Sequence, residues 1–261
     1  MINRIFAIMQ QEYFITKRSL EVIFDLFIFS SITVTVFSFV SKYLAGSSNP
    51  TGAYYLIIGL VLWEIIRIGQ YSITVSVLWN VWSRNLSNMF VTPLSTLEFF
   101  LALMISSIFK CALVLALLIL IVYVTAGFNV LQIGIMNLVL SFINLIIFSW
   151  AIGIFLTGVI FRFGTRIQAM SWGFIFLFQP LSASFFPISI LPKPLQAISH
   201  YIPATHVFES ARKNLNTTTT DWGSFFFTLF LNIIYLVVSG LLFYYFYKKS
   251  LSTGQFARNE G

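Results

Sequence analysis

Apolar residues in this chain come in six long runs, at roughly 22–44, 54–78, 100–126, 131–160, 168–187 and 223–247, parted by short polar breaks. Each run is about 20 residues or more, the length at which an α-helix crosses a hydrocarbon core of about 30 Å. Lipid offers the backbone no hydrogen bonds, so a spanning segment is a helix or a strand of a closed barrel. Barrel strands alternate apolar and polar positions over about ten residues. These runs are solidly apolar instead, as between Leu113 and Val122. The pattern predicts an all-α membrane protein with six transmembrane helices. The first run begins after some twenty mixed residues and is long enough to span. It reads as a retained helix, because a cleavable leader has an apolar core of only about 7–15 residues.

The polar breaks carry patterns of their own. In residues 1–21, Ile5, Ile8, Met9, Glu12 and Tyr13 recur at helical spacing, with Lys17-Arg18 near the end. This predicts an amphipathic helix lying in the membrane interface, the alternative being a frayed tail. From Trp79 to Glu98 the chain has amphipathic residues for one or two helical turns, then Thr92-Pro93, which stops a helix. Ser95-Thr96-Leu97-Glu98 follows as the capped start of the third span. The plainer alternative is an interfacial loop with Trp79 and Trp82 as belt residues. Residues 127–130 predict a tight hairpin and 161–167 a short basic turn. Gln179-Pro180 interrupts the fifth run. Beyond it, Leu195, Ile198, Tyr201 and Ile202 sit at helical spacing, and a second short helix fits Thr205 to Leu215. Two short external re-entrant helices, dipping into the outer leaflet or capping the bundle, are expected there. Residues 248–261 read as a polar tail.

Composition narrows the function. The chain is 58% hydrophobic and 9% charged, against about 25% charged in soluble domains. Its longest stretch outside the spans, 188–222, is too short for an independent soluble core, so ATP hydrolysis would have to come from another chain. The net charge of +7 is spread along the sequence and forms no basic patch for nucleic acid. Lys and Arg in short loops set orientation. With a cytoplasmic N-terminus, Arg4, Lys17, Arg18, Arg84, Arg162, Arg166, Lys248, Lys249 and Arg258 fall on the cytoplasmic side, and Lys42, Lys193, Arg212 and Lys213 on the other. The expectation is a multi-pass protein of the cell (inner) membrane with both termini cytoplasmic. Cys111 is the single cysteine, which leaves no intramolecular disulfide and no cysteine metal cluster.

Candidate chemistry is sparse. There is no phosphate-binding Gly-x-x-x-x-Gly-Lys-Ser/Thr loop and no His-Glu-x-x-His pair. His200 and His206, with Glu209 nearby, fit interfacial or capping roles better than a metal site, and no metal is expected. Glu64 and Arg67 lie on one face of the second span. Each costs roughly 2.5–3.5 kcal/mol at mid-membrane. They either line a translocation path or subunit contact, or hold each other as an intrahelical ion pair. Lys110 in the third span either snorkels or pairs with a distant acid. Gly59, Gly153 and Gly158 permit close helix contact.

The arrangement resembles the ABC-2 family, the membrane subunits of type-2 ATP-binding-cassette exporters, over nearly the whole chain. The features that carry the resemblance are the amphipathic start ending in Lys17-Arg18-Ser19, the stretch Asn85-Leu86-Ser87 to Thr92-Pro93-Leu94, the short turn Phe161–Arg166, and the block Phe185-Phe186-Pro187 to Leu191-Pro192 followed by Ile202-Pro203-Ala204-Thr205 and Arg212. The resemblance implies a single transmembrane domain over 1–261: an interfacial helix at 1–21, a six-helix bundle at 22–247 and a cytoplasmic tail. It implies a permease with no catalytic residues and no cofactor of its own, ATP and magnesium belonging to a nucleotide-binding partner subunit. It implies a homodimer or heterodimer of permeases in membrane lipid. Residues 82–92 would be the coupling helix that docks on the ATPase, through Trp82, Arg84, Asn85, Leu86, Asn88, Met89, Phe90, Thr92 and Pro93. The acidic run usual before that turn is replaced here by Arg84-Asn85-Leu86-Ser87-Asn88. Glu64, Arg67, Lys110, Phe185, Phe186 and Pro187 are candidates for the translocation path or a subunit contact. The substrate would be amphipathic: a lipid-linked glycan, a lipid or a hydrophobic drug. The alternative is a self-sufficient secondary transporter or channel, for which Glu64, Arg67 and Lys110 are the available coupling charges.

Overall fold

A computed structural model describes residues 1–47, 50–215, 217 and 219–254, with the backbone alone at 47, 50, 86, 87 and 90. Its helices are α1 (Ile2–Arg18), α2 (Leu20–Gly46), α3 (Pro50–Trp82), α4 (Leu86–Val91), α5 (Thr96–Ala126), α6 (Ile135–Phe163), α7 (Met170–Leu181), α8 (Lys193–Ser199), α9 (Pro203–Lys213) and α10 (Trp222–Ser252). No strand forms among the described residues. Local sequence sets several ends. Ser95 and Glu98 form a reciprocal capping box at the start of α5, satisfying two backbone donors that the first turn would leave orphaned. The left-handed turn that ends α5 falls on Gly127, at φ +68°. Asp221 caps α10 by accepting from Ser224 N at 3.0 Å.

Helix α3 is the axis of the bundle: 94% of its most apolar stretch is buried, against 28% for α2 and α5 and 17% for α10. Helices α6 and α10 run parallel and in step. Asn232 donates to Asn144 O at 2.9 Å, and Ser250 donates to Phe161 O at 2.5 Å. Glycine allows the approach, since a Cβ on Gly158 would lie 2.8 Å from Phe243 Cα.

Five helices, α2, α3, α5, α6 and α10, are long and apolar enough to cross a membrane. The fifth expected span, 168–187, differs. It contains the shorter α7, about 18 Å at 1.5 Å per residue, preceded by a tighter 3₁₀ turn over Gly164–Ile167 and interrupted by another at Phe174–Leu177. The sequence explains the breakage. Gly164 leaves α6 at φ +67°, Gly173 contributes no side chain, and Pro180 supplies no N–H to the ladder. Because α6 and α10 point the same way, the intervening chain must return along the bundle. It does so beside α3: Gln70 donates to Ser171 O at 2.9 Å, and the Ser184 carbonyl packs against Gly59 so closely that a Cβ there would clash.

The expected N-terminal helix is present, and it is fastened rather than frayed. Arg4 reaches Glu98 at 2.8 Å and Lys110 reaches Glu12 at 3.0 Å. Glu98 and Lys110 are about 18 Å apart along α5, so α1 lies along that helix. The predicted short helices after the fifth run are α8 and α9. The 127–130 hairpin is longer than expected, because a 3₁₀ turn at Val130–Ile133 delays α6 to Ile135. Of the expected tail, 248–252 continues α10, and 255–261, with Arg258, lies outside the described residues. So do 48 and 49 in the second connection and 216 and 218 before α10.

Candidate functional site

Two places hold the sequence-predicted residues. The first is the turn between α3 and α5. Helix α3 ends at Trp82, and Arg84 takes φ +54°, so the chain reverses. Asn85 N then bonds back to Asn80 O at 2.9 Å. After α4, Thr92 is extended at ψ 162°, as a residue before proline prefers. One side of this turn faces inward. The Trp82 ring stacks on Trp172 at 6.4 Å, and buried Met89 joins the cluster containing Val81 and Phe99. Asn85 also donates to the Asn80 side chain at 3.3 Å. The other side is open: Arg84, Asn88, Thr92 and Pro93 are exposed, and Val91 is 87% exposed. Arg4 donates to the Pro93 carbonyl. Leu86 and Phe90 are placed by backbone only, within α4. The result is a short helix braced by both long helices, offering one cation, amide and hydroxyl groups and an apolar side chain outward.

The second is an ionic cluster between α2 and α3. Arg67 donates to Glu64 Oε2 and Ser30 Oγ at 2.9 and 2.7 Å, to Asp25 Oδ1 at 3.3 Å and to Asp25 O at 3.1 Å. Its guanidinium lies 5.4 Å from the centre of the Phe29 ring. Both Glu64 and Arg67 are buried, at 3% and 6% exposure, so the pair faces the bundle and not lipid. It is therefore more than an intrahelical pair: it clamps α2 to α3. Asp25 lies within a π-helical stretch, Phe24–Phe29, and Ser30 directly follows it; the wider turn places both toward Arg67.

The remaining path candidates are held elsewhere. Lys110 pairs with Glu12, which also accepts from Ser76 at 2.5 Å. Phe185 stacks on Phe37 at 6.4 Å. Phe186 and Pro187 are half-buried beside it, toward the end where α10 begins. No hydrogen bond or ion pair among the described residues joins these three groups into one path. His206 Nε2 lies 2.8 Å from the His200 carbonyl oxygen, and no group of three possible metal ligands forms among the described residues.

A sequence model described as ABC-2 family transporter protein matches residues 4–246. The chain belongs to the ABC-2 family. No curated protein matches it. As an ABC-2 membrane subunit it is a permease, and membership implies pairing with a separate nucleotide-binding ATPase. The permease also carries polar groups that sequence reasoning passed over. Nothing local in the sequence announces that Asp25 and Glu12 meet cations 42 and 98 positions away. A second signal lies in the sequence itself. Asn137, Ser141 and Asn144 share one face of α6, and Ser224, Thr228 and Asn232 share one face of α10. These two stripes meet at the Asn144–Asn232 hydrogen bond.

Proposed function

We propose that this chain is the membrane half of an ATP-driven exporter that moves an amphipathic molecule, such as a lipid-linked glycan, a lipid or a hydrophobic drug, out of the cytoplasm or inner leaflet. The observation that carries the reading is the braced turn at α4. Helices α3 and α5 have 33 and 31 residues, about 50 and 46 Å, well beyond a core of about 30 Å. The turn joining them stands clear of the bilayer on the cytoplasmic side, where an ATPase can grip Arg84, Asn88 and Val91.

ATP and magnesium act in that partner. Nucleotide binding moves the ATPase pair, and each α4 transmits the motion to the two long helices it joins. A dimer of permeases then shifts between inward- and outward-facing states. The broken run 168–187 supplies the fifth of six crossings, and both termini are cytoplasmic. A self-sufficient transporter would need free coupling charges at mid-depth, whereas Glu64, Arg67 and Lys110 are all engaged in ion pairs. Asn88→Pro breaks α4 at an exposed position. It should abolish substrate-stimulated ATP turnover in the purified complex while the subunit still inserts. Normal stimulated turnover in that variant would remove the coupling role.

A further inference from the structure

Between α1 and α2 the backbone of Ser19 leaves the helical range, at φ −91° and ψ 109°. Beside this break a groove of about 580 Å³ opens, lined by Gln11, Phe14, Ile15, Arg18, Ser19 and Trp79. Its volume lies within the roughly 300–1,000 Å³ of small-molecule sites. Phe14, Ile15 and the Trp79 ring give it apolar walls.

The depth of the groove follows from α3. That helix has 33 residues, about 50 Å, against a core of about 30 Å. A centred core leaves about 10 Å of helix beyond it at each end. Trp79 lies about 4.5 Å along the axis from Trp82, the last residue of α3. The groove is therefore in the headgroup layer, where tryptophan rings concentrate.

Its charge is one-sided. The Arg18 guanidinium lies 5.3 Å from the centre of the Phe14 ring, so it stands over one wall. Lys17 beside it lies 5.8 Å from the centre of the Tyr13 ring. Both cations are exposed. Neither forms an ion pair among the described residues, in contrast to Arg4, Arg67 and Lys110. The Arg18 side chain also donates no hydrogen bond among them. Ser19 Oγ accepts from Val22 N at 3.3 Å and keeps its own hydrogen to give. No acid lines the groove: Glu12 is buried against Lys110, and Glu21 is not part of the lining. Arginine binds phosphate through parallel N–H bonds. A zwitterionic head group brings a cation as well, for which the lining offers no anion.

An apolar track leads away from this cation. Leu20, Phe24 and Ile28 are 82%, 53% and 43% exposed and follow one another at intervals of four along α2, which runs from Ser19 into the apolar core.

We propose that the groove is a site for an anionic phospholipid of the leaflet on the α4 side. Arg18 and Ser19 hold its phosphate, the walls cover its glycerol end, and an acyl chain runs down the track on α2.

The test is lipid binding to the purified permease in neutral detergent, read by native mass spectrometry. Phosphatidylglycerol and phosphatidylcholine with the same acyl chains are the probes. Phosphatidylglycerol should bind about fivefold more tightly or better, as one cation near the membrane surface contributes. Arg18→Gln should remove about that factor, leaving phosphatidylcholine binding and the melting temperature unchanged. Lys248→Gln removes another exposed cation and should alter neither lipid. Phe14→Ala should weaken both. Equal binding of the two lipids would overturn the proposal, as would equal losses in Arg18→Gln and Lys248→Gln, unaltered binding in Phe14→Ala, or displacement of phosphatidylglycerol by inorganic phosphate. No ATPase enters the measurement, so its outcome is independent of the exporter reading.

Discussion

Lys110 Nζ sits 3.0 Å from Glu12 Oε2, joining the N-terminal helix to the inside of a long membrane helix. Glu12 is 2% exposed and the Lys110 side chain 12%. The pair explains why the amphipathic α1 lies along α5 instead of fraying.

Removing one partner strands the other. Lys110→Met should destabilise the protein by about 3–5 kcal/mol, the usual cost of an uncompensated buried charge. Adding Glu12→Gln should restore most of that loss. Thermal unfolding in detergent reads both variants, and additive losses would show that the two residues act independently.

The Arg67 cluster predicts an order of severity. Arg67→Gln leaves Glu64 and Asp25 facing each other without their cation, and should be the worst single change. Glu64→Gln should be milder, because Asp25 and Ser30 still hold the guanidinium. The double variant should be more stable than Arg67→Gln alone. Melting temperatures of the three proteins test this. If the double variant keeps its stability but transport stops, the cluster serves the transport cycle as well as the fold.

Orientation follows from the charge count. With buried Cys111 replaced by Ala, single cysteines at exposed Asn129 and Lys193 should react with an impermeant thiol reagent in intact cells. Cysteines at exposed Arg84 and Thr165 should stay unlabelled until the cells are opened. Labelling at Arg84 in intact cells would reverse the topology.

Much of this architecture is legible in the sequence, because lipid makes segment length and apolarity decisive. The runs around α2, α3, α5, α6 and α10 are long enough to identify, and Ser95 with Glu98 marks the start of α5 through a local spacing rule. Gly59, Gly153 and Gly158 are the close contacts they promised to be. In the run at 168–187 the Pro180 break is legible, but the 3₁₀ turn at Phe174–Leu177 just after Gly173 is not announced by any local pattern. The partners of Glu12 and Arg67 are hidden for another reason. They come from helices remote in sequence, and only packing decides which acid meets which base.

The central claim is that α4 meets an ATPase, and cross-linking tests it most directly. A photoreactive thiol reagent would be attached at Asn88→Cys, and at Tyr201→Cys on the opposite end, in chains lacking Cys111 and expressed in their native membrane. The account predicts that Asn88 cross-links to a nucleotide-binding subunit that hydrolyses ATP, that the yield changes when ATP is trapped, and that Tyr201 does not cross-link to it. No ATPase at Asn88, or the same ATPase captured at Tyr201, would contradict it.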